Sequence, residues 1–390
     1  MMNFSKEFFV NNRKRLAEMH PNSLILISAN RPMQRSGDST YPFKQDGNFW
    51  YLTGINKPNL ILVIDTNDNT ELIALPTLSE PELIFEGEPD LKEYEEISGI
   101  KWFISQEQGL KKIAELKDYD KVYMNLAKKR PEIVINSMRK ALQETIKGHV
   151  KSLSDIRPST DKLRMIKQPI EIEAIKKATA ITKEALSLAA QAIKEGVYSE
   201  KQLEAVINVH FAKQYVINSF EPIIASGKNG LTIHYINNNQ AFGKDSHTVL
   251  FDIGAEYNNY CADVARTFVL NNNEKAEKLT CAVLSVQKEI IKFLKPGITW
   301  KQYHKFAEAS LVKHLSKAGE KVNEENIRKY FPHSIGHFLG IDVHDTGDYR
   351  QPLAENMVIT VEPGYYNPSN GFGIRVEDAV LITSSGAEVL

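Results

Sequence analysis

HTVLFDIGAEYNNYCADVARTFVL, residues 247–270, reads as two apolar runs joined by a polar centre. Val, Leu, Phe and Ile dominate the runs, which is strand chemistry, and the EYNNY between them suits a tight hairpin because Asn tolerates positive φ. Asp252 and Asp263 are embedded in these strands, where an unpaired charge would be costly to bury. If the turn is centred on Asn258-Asn259, Asp252 faces Ala265, and Asp263 lies two places along on the same side, close enough for two carboxylates to share one ion or an ion pair. A three-residue turn would put them on opposite faces. The plain alternative is that Asp263 pairs with Arg266 while Asp252 caps a turn.

Two later segments repeat the pattern of apolar strand plus carboxylate. In NMVITVEPGYY, Glu362 follows the strand and precedes Pro-Gly, a strand end from which a side chain can project into a cleft. In GIRVEDAVLIT, Arg375 and Glu377 are two residues apart and so share one strand face, where a surface ion pair is the simpler reading. Between the hairpin and these strands lies HSIGHFLGIDVHD, residues 333–345, with three of the chain's ten histidines. A single histidine there reads most simply as a satisfied polar residue. Taken together, four carboxylates on strand-like segments and an imidazole from a glycine-flanked segment supply hard oxygen donors and one nitrogen. That mixture suits a pair of Mn²⁺, Co²⁺, Fe²⁺ or Zn²⁺ ions better than a structural zinc site, which prefers thiolates. A dinuclear hydrolytic centre is the chemistry expected.

At 390 residues the chain is expected to form two domains. From Asn22 to Leu78 the runs SLILIS, NLILVI and TELIAL alternate with polar turns, and helical spacing follows in Gln106–Leu116 and Pro131–Gly148, so the first part reads as α/β. A helix follows Pro169 and stops at Gly196, and further helices are expected over 199–215, 273–294 and 299–318. The boundary is placed between residues 160 and 161, with an α+β domain over 161–390 that carries the carboxylates. No internal repeat or low-complexity tract is evident.

Composition excludes several function classes. Hydrophobic residues make up 42% and charged residues 25%, leaving no case for extended disorder. The 48 basic and 49 acidic residues balance to a net charge of −1, so no global field draws nucleic acid or an anionic membrane, and the cluster Lys128-Lys129-Arg130 reads as a solvated helix end. Two cysteines, Cys261 and Cys281, without a CxxC argue against a disulfide framework or a thiolate zinc site. The N-terminal MMNFSKEFFVNNRKRLAEMH lacks a signal-peptide apolar run, and the longest apolar runs are strand-length, so a reducing, cytoplasmic setting is expected.

The set Asp252-x10-Asp263, His333-x3-His337-x6-His344, Glu362-Pro-Gly and Arg375-Val-Glu377 resembles the pita-bread metallopeptidases, which include methionine aminopeptidase, aminopeptidase P and prolidase. Residues 35–64, RSGDSTYPFKQDGNFWYLTGINKPNLILVI, resemble the N-terminal domain of aminopeptidase P and prolidase. The phrase HFLGIDVHDTG is similar to the proline-specific members, so the resemblance covers nearly the whole chain and favours Xaa-Pro aminopeptidase over prolidase. It also carries the expectation that a short C-terminal segment is absent, since the chain ends thirteen residues after Glu377.

The resemblance implies an aminopeptidase P-type N-terminal domain over 1–160 and a pita-bread catalytic domain over 161–390. It implies that Asp252 chelates one divalent ion, that His337 binds the other with Glu362, and that Asp263 and Glu377 bridge the two. Mn²⁺ is the expected metal, with Zn²⁺, Co²⁺ or Fe²⁺ as alternatives, holding a bridging water or hydroxide. Glu362 would also shuttle a proton. His234 would help stabilise the tetrahedral intermediate, His333 and His344 would line the substrate pocket, His344 and Arg375 would contact substrate near the proline, and Tyr366 would lie close to the metals. Peptides with an Xaa-Pro N-terminus are the implied partners. Nucleic acid and membrane are not expected, and the family points to a homodimer or homotetramer in which a neighbour's loop edges the site, with Asp38 and Trp50 contributing. Prolidase, acting on Xaa-Pro dipeptides, is the alternative enzyme; a pita-bread binding protein without catalysis is a remoter one, since such relatives lose ligands that are present here.

Overall fold

The computed structural model describes residues 4–109, 121–126, 137–147, 150, 152–243 and 246–390. Residues up to Leu163 form one compact unit and Arg164–Leu390 form the other. Lys128-Lys129-Arg130 lies outside the described residues, as do parts of the helices expected over Gln106–Leu116 and Pro131–Gly148.

The first unit is built on a six-stranded sheet. Strand Ser23–Ser28 is buried along its whole length, as its continuous apolar run requires. It pairs antiparallel with Ile61–Asp65 and parallel with Lys121–Met124. Strand Thr70–Leu75 extends the sheet beside Ile61–Asp65 and pairs parallel with Trp102–Ser105. Helices Lys6–Glu18 and Gly47–Thr53 bring an aromatic cluster to this unit. Trp50 belongs to it: the ring is 4% exposed and packs edge-on against Phe4 and Phe9, with centroids 5.3 and 5.6 Å away. This corrects the expectation that Trp50 helps edge an active site, because burial in its own core leaves the indole no free face. Asp38 is exposed in the turn between Gln34–Ser36 and Ser39–Thr40.

The second unit opens with helix Pro169–Lys194. Pro169 occupies its first turn, Gln168 and Glu171 form a reciprocal cap, and Gly196 follows its end at φ 96°. The hairpin expected over 247–270 forms as strands Thr248–Ile253 and Val264–Val269, with Asp252 opposite Ala265. Tyr257 faces Tyr260, and both Asn258 and Asn259 take positive φ, so the turn has two residues. The strands bend at Gly254, where a Cβ would lie 1.9 Å from the Ala262 carbonyl oxygen and 2.3 Å from Ser219 Oγ. Only glycine fits there.

Around this hairpin the unit buries apolar clusters, two of them large. Helices Pro169–Lys194 and Glu200–Lys213 cover one of them, in which Ile181, Leu203, Ile207 and Phe211 meet Val249 and Phe251. Helices Glu274–Phe293 and Trp300–Lys317 contribute to the other, with Ile359, Val361 and Val380. Strands Val358–Val361 and Asp378–Ile382 pair antiparallel, as do Gly364–Asn367 and Phe372–Arg375. Thr267 Oγ donates to the Arg375 carbonyl at 3.1 Å, and the Glu377 N–H donates to the Ala265 carbonyl at 2.9 Å. These bonds lay the segment bearing Glu377 beside the strand that follows Asp263. No helix among the described residues is long and apolar enough to cross a membrane.

Candidate metal centre

Three pieces of chain bring the acidic residues together. Asp252 projects from strand Thr248–Ile253, Asp263 immediately precedes strand Val264–Val269, and Glu377 sits between strands Phe372–Arg375 and Asp378–Ile382. Glu362 follows strand Val358–Val361, and its N–H donates to the Ile335 carbonyl at 2.9 Å. That bond belongs to a set that lays residues 335–339 along the strand: the Thr360 N–H donates to the His337 carbonyl at 2.9 Å, and the His337 N–H to Thr360 Oγ at 3.1 Å. Gly336 permits this approach, since a Cβ there would sit 2.1 Å from the Thr360 carbonyl oxygen. His337 is thereby delivered to the carboxylates.

Asp263, His337 and Glu377 each offer a ligand atom within 4.8 Å of the others. His337 Nδ1 lies 3.0 Å from the Phe338 carbonyl. With a proton on Nδ1 donated to that carbonyl, Nε2 is turned to Asp263 at 3.4 Å, Glu362 at 3.8 Å and Glu377 at 3.9 Å. Asp252 is held by Arg375, whose other donors go to the Tyr366 hydroxyl at 2.9 Å and the Ile233 carbonyl at 3.5 Å. Arg375 thus pairs with Asp252, not with its sequence neighbour Glu377. Arg266 does not pair with Asp263 either; it bonds Asp378 at 2.6 Å and the Glu377 carbonyl at 2.6 Å.

The electrostatics of this group show what is missing from a purely protein partnership. Burial, then repulsion from Asp252, raises Asp263 to about 7 against the pull of His337. Burial raises Glu362 to about 8, with His337 opposing and Asp263 adding to the rise. Glu377 is raised by burial and by Asp263 and Glu362. Burial works against charge on His337, but the hydrogen bond to Asp263 and the charge of Glu362 lift it to about 9. Asp252 Oδ1, Asp263 Oδ1 and Glu377 Oε1 are buried without a hydrogen-bond donor. Buried carboxylate oxygens are normally satisfied. Unsatisfied oxygens converging with one imidazole nitrogen fit divalent cations, which would supply the absent positive charge.

His234, His333, His344 and Arg375 line the same cavity of about 680 Å³, a volume suited to a small ligand; Tyr366 is not on its wall but is buried and bonded to two of them. His333 Nδ1 lies 2.7 Å from the Ser334 carbonyl, and its Nε2 lies 3.1 Å from the Tyr366 hydroxyl. Burial, then the Arg375 charge, lowers His333 to about 4. The His344 ring centroid is 4.2 Å from that of His337, and burial followed by the charges of His337 and His234 lowers it to about 4. Both rings are therefore neutral near pH 7. His234 is exposed on the cavity wall, in an irregular stretch. Phe220, Ile223, Ile233, Ile236 and Val343 give the wall an apolar part, and Glu221, Ser334 and Tyr349 add polar groups.

Residues that carry no signal in the sequence support this arrangement from behind. The Tyr303 hydroxyl, fully buried, donates to the Thr360 carbonyl at 2.9 Å and lies 3.2 Å from the Ile335 carbonyl. Asp345 takes Lys167 at 2.9 Å and also Arg164. Tyr260 donates to Glu171 at 2.8 Å, and burial raises Glu171 to about 7 against Lys167. Only the adjacency of Asp345 to His344 could have flagged any of them.

The chain is similar to known proteins over its whole length. Residues 173–384 match Metallopeptidase family M24, and residues 9–123 match the N-terminal domain of aminopeptidase P. The Xaa-Pro aminopeptidase of Escherichia coli is 31% identical, with 100% of this chain and 95% of that protein aligned. Among solved structures, Escherichia coli aminopeptidase P with the inhibitor Pro-Leu superposes with a TM-score of 0.87 at 29% identity, covering 100% of this chain and 95% of that one. The zinc-substituted form of that enzyme in complex with product gives 0.88 at 28% identity, with the same coverage.

Proposed function

The chain belongs to metallopeptidase family M24, and on that basis we propose that it is an Xaa-Pro aminopeptidase, releasing the N-terminal residue from peptides with proline second by means of two divalent cations. The observation that carries this reading is the cavity in which buried, donor-poor carboxylates and His337 converge beside an apolar wall. Asp252 would hold one cation, His337 and Glu362 the other, with Asp263 and Glu377 between them, and Mn²⁺ is the proposed metal. Bound there, the cations would acidify a water, polarise the scissile carbonyl and neutralise the carboxylates.

The protein's own groups supply the rest. Glu362, on the cavity wall beside His337, takes a proton from the attacking water and passes it to the proline nitrogen. His234, exposed to the cavity, donates to the oxygen that gains charge as the carbonyl is attacked. His333 and His344, neutral near pH 7, meet substrate as hydrogen-bonding rings and not as cations. Arg375 fixes Asp252 and Tyr366 at the proline side of the site. A tertiary Xaa-Pro amide has no N–H and a fixed φ, so shape and proton delivery replace the backbone hydrogen bonds on which general peptidases rely.

The proposal divides the chain into an N-terminal domain over 1–160 and a catalytic domain over 161–390, which the separation of compact units at Leu163 supports. It includes a cytoplasmic setting and a homodimer or homotetramer. Apoprotein reconstituted with each metal in turn and assayed on Xaa-Pro-Yaa, Xaa-Pro and Xaa-Ala-Yaa tests it. Cleavage of Xaa-Pro-Yaa is expected, whereas cleavage of Xaa-Pro dipeptides alone would replace this reading with prolidase.

A further inference from the structure

Glu200 opens helix Glu200–Lys213 and is fully buried. Its Oε1 accepts from the Ser226 N–H at 2.7 Å, Ser226 Oγ at 2.7 Å and Asn229 Nδ2 at 2.8 Å. Its Oε2 accepts from the Tyr235 hydroxyl at 2.8 Å and the Gln240 N–H at 2.9 Å. All five donors lie on residues 226–240, a stretch that starts at the last residue of strand Ile223–Ser226 and has no further regular structure beyond the short helical turn Gly227–Leu231. That stretch places Ile233, His234 and Ile236 on the cavity wall.

An irregular segment has no ladder of its own, so its shape is set by whichever groups meet its donors and acceptors. The donors to Glu200 bracket His234 in sequence: Ser226 and Asn229 precede it, Tyr235 and Gln240 follow it. The Glu200 N–H adds a bond to the Gln240 carbonyl at 3.0 Å. The helix beneath is a rigid base, since Leu203, Ile207 and Phe211 are all in the core. A charge taken out of water and met only by neutral donors is costly unless each of them is aligned. Five aligned donors on one segment mark a carboxylate that shapes it.

We propose that Glu200 is a positioning residue for His234, holding the 226–240 segment so that the imidazole faces the scissile carbonyl. This rests on the reading of the cavity as an Xaa-Pro aminopeptidase site. Glu200 touches no substrate; it acts through the segment it fixes.

The test compares Glu200→Gln, Tyr235→Phe, His234→Ala and the double variant Glu200→Gln/His234→Ala, all loaded with Mn²⁺ and assayed on an Xaa-Pro-Yaa peptide. An amide satisfies only one of the two donor groups. Glu200→Gln is therefore expected to lower kcat at least about tenfold, with KM moved by less than about threefold and metal content unchanged. The double variant should be no slower than His234→Ala alone, within about twofold, because both changes remove one function. Amide exchange of the metal-free protein should quicken across 232–240 in Glu200→Gln. Wild-type turnover in Glu200→Gln, or the same fold-loss in the presence and absence of His234, would overturn the proposal. Should Glu200→Gln fail to fold, Tyr235→Phe removes one donor and carries the same non-additivity test. A wild type inactive on Xaa-Pro-Yaa would sink the functional reading instead, and exchange at 232–240 would still decide whether Glu200 holds the segment.

Discussion

Replacing Asp345 with Asn probes the charge cluster behind His344. Asp345 is 5% exposed and takes both Arg164 and Lys167, whose side chains are 3% and 1% exposed. An amide of the same shape leaves one of these cations facing an NH₂ group, and breaking a buried pair in this way costs about 3–5 kcal/mol. The lower end applies here, because Arg164 keeps Asp342 at 2.8 Å and Lys167 keeps the Arg164 carbonyl at 2.7 Å. With a urea dependence of about 3 kcal/mol per molar, the unfolding midpoint of the second unit should fall by roughly 1 M. The pH dependence has a definite sign. Burial alone would raise the Asp345 pKa, but Arg164 and Lys167 outweigh it and hold the folded value below the usual 3.8. The stability this charge contributes is then complete above the unfolded value and is lost as pH falls through the folded one. Urea unfolding of both proteins, followed by circular dichroism across pH, should show the full gap at pH 7 and a narrowing gap below about pH 4. No midpoint change at neutral pH, or a gap that widens in acid, would mean that Asp345 does not stabilise the unit through its charge.

Other perturbations separate the roles within the site. His337→Ala should lose metal measured by atomic absorption, whereas His333→Ala and His344→Ala should keep it and lose turnover by about a hundredfold. Metal must displace protons from His337, Glu362, Asp263 and Glu377, all raised in the metal-free protein, so Mn²⁺ affinity should rise steeply with pH from about 6.5. Calorimetry in buffers of different ionisation enthalpy should show more protons released at the lower pH than at the higher. Gly254→Ala would drive a Cβ into the Ala262 carbonyl and should destabilise the second unit by more than about 2 kcal/mol, read as a lower urea midpoint.

What the sequence makes legible is local. Asn258-Asn259 set the hairpin register through turn chemistry alone, and that register puts Asp252 opposite Ala265. Pro169 and Gly196 mark a helix because each acts within one turn of itself. Partnerships across long stretches of chain are not legible. Arg375 has Glu377 as its near neighbour in sequence, yet its charge goes to Asp252, 123 residues away. Arg164 and Asp345 are separated by 181 residues, and nothing in either neighbourhood announces the other. Trp50 illustrates the opposite error, since the family resemblance offers it as a residue edging a neighbour's site, whereas the indole fills an aromatic core.

The proposed mechanism calls for two cations, which the buried carboxylates and His337 would hold beside an Xaa-Pro peptide. Titrating the apoprotein with Mn²⁺, while following bound metal and Xaa-Pro-Yaa hydrolysis in the same samples, reads both properties at once. Two ions per chain, with activity rising to its plateau only as they bind, is the expected result. A plateau of both binding and activity at one ion per chain, or full activity in the apoprotein, would rule out the two-cation mechanism.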